Sequence, residues 1–99
     1  MAEIVLLAAA EEDVLEIYAS YEERSAGRGE LFSDDLEHVL DLLTEFPSLA
    51  TFFSRPFRRI RLSRHPYAVF YEVVGRRVIV HAIRSDRESN DYIRRRLRL

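Results

Sequence analysis

Arginine supplies most of the chemistry this sequence offers. In residues 57–63 apolar and charged positions alternate, so a strand there puts Ile60 and Leu62 on one side and Arg59 and Arg61 on the other. Two guanidinium forks on one face suit phosphate or carboxylate oxygens, which they bind in bidentate fashion. Arg84, Arg87 and the tail Arg94, Arg95, Arg96 and Arg98 add to the set. All 15 basic residues are arginine and none is lysine, so no lysine serves as Schiff-base former or general base.

Arginine stays protonated and therefore holds phosphate without moving a proton. Phosphodiester cleavage also needs a base and an acid. The titratable candidates are Glu72, His65, His81, Asp86, Glu88 and Tyr92. Glu72 shares an alternation face with Ala68 and Phe70, which turns it toward Arg59 and Arg61, either as a structural ion pair or as a proton acceptor. His81 lies in an apolar strand and reads as a satisfied core histidine. His65, at a proline-bounded turn, reads as a solvated loop residue, and His38 as part of the surface of an acidic helix. There is no cysteine. No Ser/His/Asp set, metal-ligand spacing or glycine-rich phosphate loop can be assembled, so neither a metal nor another cofactor is expected.

The elements that must position these residues follow from the pattern. Ninety-nine residues suit one domain spanning 1–99. The longest apolar run, residues 4–10, is far short of the roughly 20 needed to cross a bilayer, and the expectation is a cytoplasmic protein with no membrane partner. A short strand at residues 3–7 precedes a helix whose Val14, Ile17, Tyr18 and Tyr21 form a stripe, with Glu11, Glu12, Asp13, Glu16, Glu22 and Glu23 opposite and facing solvent. Gly27 and Gly29 break it, and a second helix over about 30–46 carries Phe32, Leu36, Val39, Leu40, Leu43 and Phe46 on one face and is ended by Pro47. Strands are expected over 57–63, 66–74 and 77–83, with a tight turn at Gly75. A short basic helix begins near Ser89. Phe52, Phe53 and Phe57 flank Arg55 in a loop that either caps the sheet edge or forms a docking patch.

The fold class is therefore α+β in the order β-α-α-β-β-β-(α), a helical hairpin on one face of a mostly antiparallel sheet. The opposite, arginine-lined face is expected to be open. Net charge is only −2, yet residues 1–50 carry 13 acids against Arg24 and Arg28, while residues 51–99 carry 13 arginines against four acids. That segregation points to an anionic partner for the second half.

The runs Arg58-Arg59-Ile60-Arg61-Leu62 and His65-Pro66-Tyr67-Ala68-Val69-Phe70-Tyr71, then Gly75, Ile83-Arg84-Ser85-Asp86-Arg87 and Tyr92, resemble the ParE/RelE superfamily of type II toxin–antitoxin (plasmid stabilization) toxins. Tyr21-Glu22-Glu23-Arg24, Gly27, Gly29, Phe32 and Glu45-Phe46-Pro47 are similar to that superfamily's helical hairpin. The resemblance implies two activities. RelE-like members are ribosome-dependent mRNA endoribonucleases, in which Arg59, Arg61, Glu72, Arg87 and Tyr92 are the candidate catalytic positions here. ParE-like members poison DNA gyrase without catalysis. Ala68 stands where the nucleases carry a basic residue, and Arg84 where many ParE-like sequences carry histidine. The nearer resemblance is to ParE-like members, with contact to target or antitoxin falling on Arg59, Arg61, Arg84, Arg87, Tyr92 and Arg95. The partners implied are a cognate antitoxin and DNA gyrase, or alternatively the ribosome with mRNA.

Overall fold

Two apolar stripes turn the first part of the chain into a helical hairpin. The structure, a computed structural model, describes residues 1–99. Strand β1 (Glu3–Leu6) leads into α1 (Ala8–Arg24), which buries Ala10 and Ile17 and half-buries Val14, Tyr18 and Tyr21. Helix α2 (Arg28–Glu45) buries Phe32, Leu36, Val39 and Leu43 and stops before Pro47. In the turn between them Gly27 has φ 91°, a left-handed backbone that disfavours side chains. Glu22 of α1 accepts the N–H groups of Gly27 (2.9 Å) and Gly29 (2.7 Å), so the first helix caps the second. Gly29 is the second residue of α2 rather than a break. A Cβ there would lie 2.9 Å from the Tyr18 ring and from Glu22 Cγ.

The rest of the chain supplies β2 (Phe52–Ser54), β3 (Phe57–Arg61), β4 (Tyr67–Val74), β5 (Arg77–Ser85) and α3 (Asn90–Arg96). The five-stranded sheet runs β1-β5-β4-β3-β2, with β1 parallel to β5 and the other pairs antiparallel. The apolar β5 is internal, as its double-sided hydrophobicity requires. The hairpin helices pack on Leu62, Val69, Tyr71, Val78, Val80 and Ile83. Tyr71 is fully buried, and its hydroxyl donates to the Pro47 carbonyl at 2.8 Å.

The opposite sheet face is not open. Helix α3 lays Ile93 and Leu97 on Phe57, Ala68, Phe70 and Ala82, forming a second small core. Ile93 and Leu97 are one turn apart and so share a face of the helix. The two alanines leave room for them. Their burial is worth about 1.5–3 kcal/mol each, and a helix this short has no stability of its own. The phenylalanine segment is likewise a strand and not a loop: β2 pairs Phe52 with Arg58 and Ser54 with Phe57. Phe53 meets Phe70 edge-on at 5.3 Å, and Phe52 lies between the Arg55 and Arg58 guanidinium groups at 4.1 and 3.9 Å.

The acidic helices do more than face solvent. Asp35 of α2 is buried and accepts the N–H groups of Ser63 (3.1 Å) and Arg64 (2.9 Å) and His65 Nδ1 (2.7 Å). This corrects the reading of His65 as solvated: its ring packs edge-on against Tyr21 and Phe32. Burial works against the Asp35 charge, but the three donors outweigh it and hold the carboxyl below its ordinary range.

Gly29→Ala should destabilise the fold by about 1–3 kcal/mol in urea titration, because Tyr18 and Glu22 must both give way; an unchanged midpoint would remove this contact as a constraint. Since the folded Asp35 carboxyl is depressed, its stabilisation is present above the unfolded value near 4 and is lost as pH falls through the folded value. Asp35→Asn should therefore cost about 1–3 kcal/mol at neutral pH, with the gap to the unmodified protein closing on acidification; a gap that stays constant with pH would contradict this.

Candidate functional site

The most connected polar group is Asp13 of α1, which is buried. Its carboxylate accepts the Ile83 N–H at 2.9 Å, Arg84 Nη1 at 3.0 Å, and Arg96 at 3.1 Å (Nη1) and 2.7 Å (Nη2). Arg84 also donates to Glu88 Oε1 from Nε (3.1 Å) and Nη2 (2.6 Å), and Arg96 donates to the Ala9 carbonyl. Arg84 therefore does not offer a free cation to a partner. Its guanidinium is turned inward, 5.2 Å from the centroid of the Tyr92 ring. Burial opposes the charge on Arg84, yet Glu88 and Asp13 raise its pKa above the ordinary value; for Arg96 the hydrogen bond it donates to Asp13 dominates in the same direction.

Glu72 shares the sheet face of Arg59 and Arg61, as alternation requires. Its hydrogen-bond partner there is His81, whose Nε2 lies 2.9 Å from its carboxylate. What brings His81 to that face is a β-bulge that sequence alternation cannot reveal. Phe70 pairs with Ala82 but Tyr71 with Val80, so β5 carries one extra residue. Ala82 packs in the second core and His81 meets Phe57 edge-on at 4.9 Å, which places both on the α3 side of the sheet. His81 is thus a satisfied histidine, as expected.

Arg59 and Arg61 are exposed on that same side, and Arg59 lies 5.4 Å from the Phe53 ring centroid. On the helical wheel of α3, Ile93 and Leu97 point inward, with Arg94 on one flank and Tyr92 and Arg96 on the other. Arg94 reaches Ser54 Oγ on β2 at 3.5 Å, and Arg96 reaches α1. Arg95 is exposed on the outer side of the helix and Arg87 in the turn before it. The expected set is consequently divided by α3. Arg59 and Arg61 stand with Arg94 beside β3, whereas Arg84 and Tyr92 stand with Asp13 beside α1. No hydrogen bond or ion pair joins Arg59, Arg61, Glu72, Arg87 and Tyr92 to one another. No group of three metal-ligating side chains converges and no helix is long and apolar enough to cross a membrane.

Sequence reading put Asp13 on the solvent side and gave Arg94 and Arg96 no separate roles, whereas Asp13 is buried and Arg96 is bonded to it. A usable signal exists for the first: Asp13 falls on the line of Ala10 and Ile17 and so faces inward.

A helical hairpin on a sheet with a short helix behind it is the α+β architecture in which these side chains are set. The structure is similar to a solved chain of the chromosomal ParDE toxin–antitoxin system from P. aeruginosa, with a TM-score of 0.75, covering 86% of this chain and 96% of that chain. Sequence identity there is 17%, so the likeness is one of fold. The family model of the ParE toxin of type II toxin–antitoxin systems, parDE, matches residues 4–90, and the chain belongs to that family. No curated protein matches it in sequence. The match ends at the first residue of α3, so the rest of that helix lies beyond it.

Asp13→Asn leaves two partly buried guanidinium groups short of charge and should cost roughly 2–4 kcal/mol. Amide hydrogen exchange should show the α3 amides losing protection first; uniform loss across the sheet would mean that Asp13 does not hold α3 in particular.

Proposed function

We propose that this ParE-family protein arrests growth by binding and poisoning DNA gyrase and that a cognate antitoxin neutralises it. The observation that carries the reading is the division of the arginines. Arg84 and Arg96 are consumed by the fold, while Arg59, Arg61, Arg87 and Arg95 remain exposed without a carboxylate partner. An exposed cationic surface suits recognition of an anionic partner, whether the target complex or an acidic antitoxin segment.

The same division speaks against RNA cleavage. A nuclease site needs a proton acceptor beside the phosphate-holding cations. Glu72 is engaged by His81, and Tyr92 stands on the far flank of α3 from Arg59 and Arg61. Arg59 and Arg61 hold phosphate but transfer no proton, and the carboxylate that shares their face is bonded to His81. Membership of the ParE family supports the binding mode of action.

Two reactions run in parallel test this: DNA cleavage complexes of purified gyrase, and mRNA integrity in a translating extract. Accumulation of cleavage complexes with intact mRNA is expected, and Glu72→Gln should keep its toxicity in cells. Cleavage of mRNA only during translation, abolished by Arg87→Ala with the fold retained, would overturn the gyrase assignment.

A further inference from the structure

Of the fifteen arginines, Arg77, Arg84 and Arg96 have carboxylate partners. Arg59, Arg61, Arg94 and Arg95 have none and are exposed. They belong to one surface. Arg59 and Arg61 lie about 7 Å apart along β3 on the side where α3 packs. Arg94 meets Ser54 on β2, which pairs with β3, so the cationic flank of α3 adjoins the cationic strand. Two carboxylates share this side, Glu72, which is bonded to His81, and the exposed Asp91 of α3; the exposed acids Glu30, Asp34, Glu37 and Asp41 lie on α2, on the other side of the sheet.

This surface has charge without an apolar pocket. Ile93, Leu97, Phe57 and Phe70 are already buried against one another. A protein partner gains most of its affinity from apolar anchors seated in pockets, and none is open here. A polyphosphate backbone needs only cations and gains from counterion release. Single strands also require aromatic faces free for stacking bases, but Phe53 packs on Phe70, and Phe52, although exposed at its edge, has the Arg55 and Arg58 guanidinium groups against its ring.

We infer that Arg59, Arg61, Arg94 and Arg95 form a face that binds the backbone of duplex DNA without sequence preference. The inference rests on the proposed function in one respect, that the target works on duplex DNA. Its test contains no gyrase, so failure here leaves the cleavage-complex result standing and the reverse also holds.

Fluorescence anisotropy of the full chain with a short labelled duplex of mixed sequence reads the interaction. Four phosphate contacts predict a slope of log affinity against log salt of about −3.6, roughly a hundredfold loss between about 50 and 200 mM. The double variant R59A/R61A should reduce that slope by about two, with circular dichroism unchanged because both side chains are exposed. Arg28→Ala, at the start of α2, should leave binding as it was. The proposal is overturned by absence of salt-dependent binding, by a double variant with the original slope, or by an equal effect of Arg28→Ala. Tighter binding of a single strand, or equal binding of an oligoglutamate peptide, would also overturn it, the latter marking a peptide-docking face instead.

Discussion

One carboxylate ties the three layers of this protein together. Asp13 lies inside the fold with a strand N–H and two guanidinium groups on its oxygens. The strand is the internal β5, one arginine belongs to that same strand, and the other comes from α3. A charge so placed is costly unless fully paired. Pairing it fixes the height of α1 over the sheet and the position of α3 behind it. The second core depends on this, because two apolar side chains on a helix of seven residues are a weak attachment unless something else sets the helix in place.

Asp35 does for the β3–β4 turn what Asp13 does for α3. Both are acids of the first half that reach groups of the second half, the one through backbone N–H groups and a histidine, the other through arginine. The opposite charge of the two halves therefore has an internal part as well as an external one. A few of the charges bind the halves to each other, and the rest give the helical layer and the arginine face opposite signs. The same residue type, arginine, performs both tasks, and only its partners tell them apart.

Much of this was legible in the sequence. The stripes of α1 and α2, the alternation around Ile60 and Val69 and the turn at Gly75 specify the hairpin and the sheet, because period and burial coincide there. Three things were not. Asp13 is one acid among several on α1, and its inward position shows only against Ala10 and Ile17. The bulge at His81 changes which side that residue faces without any mark in composition, and it gives Glu72 a histidine partner. In α3, two apolar residues among arginines suggest a solvated helix. The cover they provide depends on Ala68 and Ala82, more than ten residues away along the chain.

The parallel pairing of β1 with β5 has a further consequence. Residues Glu3 to Leu6 hydrogen-bond along Arg77 to Val80, so β1 has no neighbour in the sheet until β5 has also been synthesised. Contacts so distant in sequence form late. A nascent chain therefore carries β1 unpaired while both hairpin helices and three strands emerge, and the arginine face takes shape only once β5 and α3 are in place.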